Sequence, residues 1–223
     1  MNFFNGRLNA KRYLKVIKQY TKTFSKEFII KNYGSFIGDK SVHRFLVCFE
    51  LLNKTKKIRG DVVEFGVWNG NNLFVIKKIL DFLKSKKKVI GYDHFKGMPK
   101  ADNHNYFKGD KKFINYITKF YRLKNIRIIN DDIMNLKKHV KTFSKLSFIY
   151  IDCDLYKTTA EILNLLNRKL SVGGIIAFDE GKRGKRFGET KAMNEFFIRN
   201  KKKYKKILFK KFYQPDVYLK KIR

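Results

Sequence analysis

From Asp61 onward, short apolar runs alternate with longer stretches in which apolar and polar positions follow a helical period. The apolar runs predict five strands, at residues 62–67, 89–92, 126–129, 148–151 and 175–178. The amphipathic stretches between and after them predict four helices, at residues 73–83, 113–121, 162–170 and 192–197. Such alternation is typical of βαβ units, so the chain is expected to be an α/β protein with a mostly parallel sheet and helices on both faces.

The last two apolar segments alternate with the two-residue period of strands. Residues 205–212 and 217–222 predict a closing hairpin around Gln214, Pro215 and Asp216. With this hairpin the expected sheet has seven strands.

The N-terminal section, residues 1–58, carries a helical period instead. Apolar side chains recur near i, i+3 and i+4 in two groups, Leu8, Tyr13, Val16, Ile17 and Tyr20, and then Val42, Phe45, Leu46, Phe49 and Leu52. The chain has 223 residues, of which 43% are hydrophobic, enough for one substantial core. We therefore expect one domain over 1–223, with a helical section at 1–58 and an α/β core at 59–223.

Several classes of protein are disfavoured by the composition. The longest apolar stretches are far shorter than the roughly 20 residues that span a bilayer, and the N-terminus lacks the apolar run of a secretory signal. Two cysteines, Cys48 and Cys153, cannot build a disulfide framework or a thiolate metal cage. We therefore expect a cytoplasmic protein.

Positive charge is the unusual feature of the composition. Lys and Arg number 52 against 19 Asp and Glu, which gives a formal net charge of +33. Such a charge attracts polyanions over long range, so an anionic partner is one explanation. A general compositional bias with solvated surface lysines is the other, and the sequence leaves both open.

Acidic residues or glycines follow each of the five predicted strands. In order along the chain these are Glu64, Gly66 and Gly70, then Asp93, then Asp131 and Asp132, then Asp152 and Asp154, then Asp179 and Glu180. Ligands of open α/β sheets bind outside the carboxyl ends of the strands, so this is where chemistry is expected.

The ends of the first two strands indicate a nucleotide-like cofactor. Gly66 and Gly70 permit a tight turn before a helix whose first N–H groups are free, although the third glycine of the dinucleotide fingerprint is missing. Asp93 is placed to accept hydrogen bonds from both ribose hydroxyls. A loop with few glycines and an acid at Glu64 suits an adenosine cofactor without pyrophosphate, which indicates S-adenosylmethionine.

The third strand end has two interpretations. Asp131 or Asp132 would lie near the adenine of such a cofactor. Alternatively, these residues cap the start of the next helical segment.

The fourth and fifth strand ends indicate a metal site. Four carboxylates on neighbouring strand ends repel one another unless a cation joins them, and oxygen ligands suit Mg²⁺. One aspartate would stay off the ion as general base. The alternative is that Asp154 caps the helix starting at Leu155, while Asp179 and Glu180 pair with Lys182, Arg183, Lys185 or Arg186.

Four ordered motifs resemble the macrocin O-methyltransferase family of sugar methyltransferases. They are GDVVEFGVWNG at 60–70, GYDHFKGMP at 91–99, IDCDLYKTT at 151–159 and GGIIAFDE at 173–180, and the similarity extends from about Val42 to Phe197. The resemblance implies a Rossmann-like class I methyltransferase that uses S-adenosylmethionine and Mg²⁺ on sugar hydroxyls. It also implies that residues 1–58 cover the substrate.

Carried over residue by residue, the resemblance assigns a role to most of these side chains. Asp154 becomes the general base. The metal ligands are Asp152, Asp179 and Glu180, and Glu64, Gly66 and Asp93 become cofactor contacts. We expect Gly70, His94 and Asp132 to complete the cofactor-binding residues.

Two residues depart from the family pattern. The family usually has Asp-Asp where this chain has Asp179-Glu180, and the extra methylene could shift the ion or leave Glu180 off it. The family usually has serine where this chain has His94. We expect His94 to pack over the cofactor rather than to catalyse.

Two other functions remain open. The basic charge and the run KKKYKK at 201–206 are compatible with an RNA-binding protein or RNA methyltransferase, although no amino-methylation motif of the Asn-Pro-Pro-Tyr type is present and the aromatic residues form no obvious stacking platform. A lipid-borne or cell-surface glycan would instead place a basic protein at an anionic membrane surface. The sequence leaves the acceptor unidentified, and homo-oligomerisation stays open.

Overall fold

A computed structural model describes residues 18–19, 22–32, 34, 37, 39–98, 108–181, 188–209 and 214–223. The first group of apolar residues predicted to be helical, at positions 8–17 and 20, lies outside these ranges. So do Phe212 and the predicted ion-pair partners Lys182, Arg183, Lys185 and Arg186.

The strands form one seven-stranded sheet in the order β3-β2-β1-β4-β5-β7-β6. They are β1 (Asp61–Phe65), β2 (Val89–Asp93), β3 (Ile126–Asn130), β4 (Leu146–Ile151), β5 (Leu170–Phe178), β6 (Tyr204–Leu208) and β7 (Val217–Lys221). Strands β1 to β5 are parallel to one another, and β7 runs antiparallel to β5 and β6. The predicted seven strands and closing hairpin are confirmed.

Seven α-helices are described along the chain. They are α1 (Lys26–Lys31), α2 (Asp39–Thr55), α3 (Asn71–Phe82), α4 (Lys111–Phe120), α5 (Leu136–His139), α6 (Tyr156–Leu166) and α7 (Gly188–Arg199). None of these described helices combines the length and apolar character that crossing a bilayer requires.

One predicted boundary is wrong. The helix expected at 162–170 ends at Leu166, and Leu170 already opens β5. Ser171, Gly173 and Gly174 interrupt the apolar pattern of this strand, which is why its first half was missed.

Two hydrophobic layers sandwich the sheet because successive strand residues point to opposite faces. On the first face, the helices α2, α3 and α4 pack against residues such as Val62 and Tyr150. On the second face, α5, α6 and α7 pack against residues such as Val63 and Ile149. Helices on both faces are thus confirmed.

Helix α2 buries only part of the apolar group whose spacing predicted a helix here. Val47, Cys48, Leu51 and Leu52 are buried, whereas Val42, Leu46 and Phe49 remain exposed. The helix carries two apolar stripes, and packing against α3 and the sheet selects the stripe that also brings Arg44 inward.

The register of the strands aligns their carboxyl ends. Phe65 pairs with both Tyr92 and Ile151, and Ile151 pairs with Phe178. The residues that follow, Gly66, Asp93, Asp152 and Asp179, therefore lie at one edge of the sheet, which we call the carboxyl edge.

Gly66 is required by the close approach of two strand ends. Its φ is +84°, in the left-handed region, and a Cβ atom there would lie 1.9 Å from the carbonyl oxygen of Asp152. Because that oxygen belongs to the backbone, it cannot move aside cheaply.

We predict that Gly66→Ala destabilises the protein by more than about 3 kcal/mol, through strain at positive φ and the clash with Asp152. The control is Gly34→Ala, where the added Cβ has no heavy atom of the described residues within 4 Å and the change should stay within about 0.5 kcal/mol. Denaturant unfolding measures both free energies. Equal effects of the two variants would show that the strand ends can separate.

Candidate active site

Asp93 joins the loops that follow β1 and β2. Its Oδ2 accepts a hydrogen bond from the backbone N–H of Trp68 at 2.8 Å, and its Oδ1 accepts one from Phe95 N–H at 2.6 Å. The carboxylate is partly exposed. It is thus fixed in position at the carboxyl edge, with acceptor capacity left for a ligand.

The turn after β1 leads directly into α3. Gly70 takes the N-cap position of α3 with φ +82°, and no side chain caps this helix start. A Cβ at Gly70 would lie 2.9 Å from the ring of Phe74 and 3.2 Å from Ile114. The glycine therefore lets the turn lie flat on the helices of the first face.

His94 is held beside Asp93 rather than aimed into the strand edge. Its Nδ1 accepts from Lys96 N–H at 3.0 Å and lies 3.6 Å from Asp93 Oδ1. The ring is about one third exposed, so it flanks the Asp93 carboxylate.

The two aspartates after β3 are engaged in local contacts. Asp132 caps a 3-10 turn by accepting from Met134 N–H at 2.9 Å, as the capping interpretation predicted. Asp131 lies 2.8 Å from His139 Nε2 and accepts from Asn135 Nδ2 at 2.9 Å. These hydrogen bonds, with His139 the largest contributor, lower the pKa of Asp131 to about 2.

Glu64 is buried beneath the carboxyl edge on the first face, with 1% of its surface exposed. Its Oε1 accepts from Asn72 Nδ2 at 2.9 Å, and Asn72 Oδ1 in turn faces Cys48 Sγ at 3.6 Å. Its Oε2 has no hydrogen-bond partner within the described ranges. Burial raises the pKa of Glu64 to about 8, against the opposing hydrogen bond from Asn72 and the charge of Arg44.

Asp179 carries an ion pair that sequence reasoning missed. Arg44 Nη2 of α2 lies 2.8 Å from Asp179 Oδ1, and the buried Tyr150 hydroxyl donates to the same oxygen at 2.6 Å. Among the described residues, the cation that pairs with Asp179 thus comes from the N-terminal section. An arginine within the apolar stripe of α2 was the available signal.

Asp152 lies next to Asp179 at the adjacent strand end. Burial and the charge of Asp179 raise the pKa of Asp152 well above its ordinary value, and Arg44 only partly opposes them. The pair is therefore short of positive charge.

Asp154 does not cap the following helix. Helix α6 starts at Tyr156, its N-cap residue is Leu155, and no side chain caps it. Asp154 instead has φ +55°, a left-handed conformation that aspartate tolerates better than most residues. That capping alternative is therefore wrong.

Glu189, also missed from the sequence, connects the loops after β4 and β5. This fully buried carboxylate of α7 accepts from the N–H groups of Cys153 and Asp154 at 3.2 and 3.3 Å through Oε2. Its Oε1 accepts from Glu180 N–H at 2.8 Å. Burial raises the pKa of Glu189 although these three N–H groups favour the ionised form.

Glu180 is turned toward the hairpin. Its Oε1 accepts from Gln214 Nε2 at 3.1 Å, next to β7. Its backbone carbonyl accepts from the Thr190 hydroxyl. Within the part of the chain that is described, no three His, Cys, Asp or Glu side chains are grouped as a metal cage.

Residues 31–210 match a protein family described as Macrocin-O-methyltransferase (TylF). The match spans well over half of the chain. The chain belongs to the macrocin-O-methyltransferase family.

Two curated O-methyltransferases are similar to this chain over part of their length. An 8-demethyl-8-(2,3-dimethoxy-alpha-L-rhamnosyl)-tetracenomycin-C 4'-O-methyltransferase from Streptomyces olivaceus is 25% identical over 162 residues, covering 66% of this chain and 62% of that protein. A demethyldecarbamoylnovobiocin O-methyltransferase from Streptomyces niveus is 25% identical over 166 residues, covering 67% and 63%. The chain thus matches less than two thirds of each relative's length.

A solved structure shares the fold of this macrocin-O-methyltransferase family member. The calicheamicin methyltransferase CalS11 superposes with a TM-score of 0.75 at 18% identity, covering 99% of this chain and 94% of that chain. The expected Rossmann-like class I methyltransferase fold is confirmed.

We predict that Glu64 makes folding weaken as pH rises. Its folded pKa, about 8, lies above the ordinary value of 4.5, so its full contribution to stability is present below about pH 4.5. Between about pH 4.5 and pH 8 the unfolded chain loses this proton first, and stability falls by up to about 1.4 kcal/mol per pH unit. Glu64→Gln removes that slope, whereas Glu27→Gln on the exposed face of α1 should retain it.

Denaturant unfolding at about pH 5 and about pH 8 measures the effect. Parallel pH profiles for the wild type and Glu64→Gln would contradict it.

Proposed function

We propose that the protein is an S-adenosylmethionine-dependent O-methyltransferase that methylates a hydroxyl group of a sugar or a glycosylated molecule. The observation that carries the proposal is the row of acids, Glu64, Asp93, Asp152 and Asp179, at one edge of a methyltransferase fold and within the segment that matches the family. Relatives whose names specify rhamnosyl and TDP-rhamnose O-methylation support the sugar acceptor.

The acidic edge fits a positively charged cofactor. S-adenosylmethionine supplies an electrophilic methyl group on a sulfonium. Asp93 is positioned to accept hydrogen bonds from its ribose, and Glu64 offers a buried oxygen without a described partner to its positive charge. The remaining proposed contacts are Gly66, Gly70, His94 and Asp132.

Asp154 is the proposed general base. The Glu189 carboxylate fixes the backbone at Cys153 and Asp154, because it accepts a hydrogen bond from the N–H group of each. Asp154 would take the proton of the acceptor hydroxyl as the oxygen attacks the methyl carbon. Glu189 acts on the reaction only through this positioning.

Asp152, Asp179 and Glu180 are the proposed ligands of Mg²⁺. Mg²⁺ is commonly bound by one or two carboxylates with waters and substrate oxygens completing the shell, so the charge-deficient pair Asp152 and Asp179 fits it. The bound ion would lower the pKa of the acceptor hydroxyl. Asp179 would then contact both the ion and Arg44, and Glu180 would contact both the ion and Gln214.

The remaining assignments are part of the same proposal. The chain is one domain over 1–223, and residues 1–58 cover the substrate while residues 59–223 form the core. We infer a cytoplasmic protein, either free or peripheral to a membrane. A measurement of its size in solution will decide whether it forms homo-oligomers.

Two isosteric variants test the enzyme assignment. Asp93→Asn should weaken S-adenosylmethionine binding about tenfold to a hundredfold, because a charged hydrogen-bond acceptor is lost. Asp154→Asn should leave that affinity unchanged and lower turnover about a hundredfold or more, since asparagine keeps the backbone conformation but cannot take a proton.

Calorimetry with S-adenosylmethionine and single-turnover methyl transfer to a rhamnosylated acceptor provide the two readouts. Asp81→Asn, on the exposed side of α3, is the control and should change neither. Full turnover in Asp154→Asn would reassign the base, and full affinity in Asp93→Asn would remove the ribose contact.

We predict that a chelator abolishes methyl transfer and that added Mg²⁺ restores it. Asp152→Asn should also lose the heat of Mg²⁺ binding, because one of the two neighbouring carboxylates proposed to bind the ion becomes neutral. Calorimetry with MgCl₂ reads out binding without turnover. Unchanged activity in excess chelator would show that methyl transfer needs no metal ion and that the site consists of the carboxylates and Arg44.

One observation favours the RNA alternative. Tyr116 and Phe120 on α4 are 62% and 64% exposed, their ring centroids are 6.0 Å apart, and Tyr121 packs edge-on against Phe120 at 5.0 Å. Lys78 lies 4.6 Å from the Tyr121 ring. Exposed rings beside cations can stack bases, so salt-dependent binding of mixed-sequence RNA that is lost in Tyr116→Ser/Phe120→Ser would support it.

A further inference from the structure

A basic cleft lies at the opposite edge of the sheet from the candidate active site. It has a volume of about 670 Å³ and is formed where the turns before β1, β2 and β4 meet. Strand β1 has five residues, so the cleft lies about 17 Å from the carboxyl edge. Its volume is within the range of small-molecule pockets, about 300–1,000 Å³.

Seven of the twelve residues that line the cleft are cationic. The turn after α2 supplies Lys56, Lys57 and Arg59, and the turn after α3 supplies Lys84, Lys86 and Lys87. Lys145 comes from the start of β4. In the whole chain 52 of 223 residues are Lys or Arg, so the cleft carries a higher share of cations than the chain as a whole.

The positive charge of the cleft is not balanced internally. Its one acidic lining residue, Asp61, accepts from Lys88 N–H and from the Ser144 hydroxyl, both at 3.0 Å. None of the seven cationic side chains forms an ion pair within the residues described. Burial, and to a lesser extent the charges of Lys145 and Lys203, lower the pKa of Lys221, which lies outside the cleft.

The floor of the cleft is fixed before any ligand arrives. The Lys87 amine donates to the carbonyl oxygens of Ile58 and Gly60, the latter at 2.8 Å. The Ser171 hydroxyl donates to the Arg59 carbonyl at 2.7 Å. These bonds hold the turn that carries Lys56, Lys57 and Arg59 against the sheet.

We propose that this cleft is a binding site for a small soluble compound carrying two or more phosphate groups. Lysine binds phosphate as a compact point charge with three donors, so a cluster of lysines suits a ligand with several phosphate charges. No aromatic side chain is among the described lining residues, so bases have no ring on which to stack. An anion of this kind would relieve the repulsion that the fold otherwise carries.

Calorimetry with sodium tripolyphosphate tests the site on the full chain. The cleft variant is Lys57→Gln/Lys86→Gln/Lys145→Gln, and the control is Lys137→Gln/Lys138→Gln/Lys202→Gln. All six lysines are exposed, and both variants remove three positive charges. The wild type and the control should bind one tripolyphosphate with matching affinity, whereas the cleft variant should bind it roughly tenfold or more weakly.

A thermal shift with tripolyphosphate should follow the same order, because a ligand that binds only the folded state stabilises it. Equal losses in both variants, or no saturable binding by the wild type, would overturn the site in favour of diffuse charge. Sedimentation with phosphatidylcholine–phosphatidylglycerol vesicles forms the other arm. Cleft-dependent vesicle binding without tripolyphosphate binding would replace the soluble ligand by a membrane headgroup.

Discussion

The ion pair between Arg44 and Asp179 is the interaction on which the arrangement of the carboxyl edge depends. A buried carboxylate is costly unless an opposite charge and hydrogen bonds compensate it, and Asp179 receives both, from Arg44 and from the Tyr150 hydroxyl. Within the described ranges, no other ion pair connects the N-terminal section to the sheet. The pair thus fixes helix α2 over the first face while it leaves Asp152 with a deficit of positive charge.

Glu189 organises the same edge from the second face. One carboxylate satisfies three buried backbone N–H groups from two loops that lie far apart in the sequence. Removing it would leave those donors unpaired, which costs about 1–3 kcal/mol for each group. The position of Asp154 is therefore set by α7 as much as by the end of β4, and the geometry proposed for catalysis rests on a fully buried residue.

Local patterns were sufficient to predict the sheet and the acids at its edge. Short apolar runs followed by glycines and aspartates mark strand ends within a few positions, and parallel topology then collects Asp93, Asp152 and Asp179 without further information. Arg44 and Glu189 could not be found in this way. Helix α2 has two apolar stripes, and only tertiary packing decides which one is buried, while the amides bound by Glu189 lie up to 36 residues away.

The dependence of Asp179 on a residue of α2 limits how this family member can be re-engineered. Chimeras that graft another N-terminal section onto the core would also exchange the counter-charge of Asp179 at the carboxyl edge. A graft without a cation facing Asp179 would leave that carboxylate buried and uncompensated. The N-terminal section and the electrostatics of the carboxyl edge are thus inherited together.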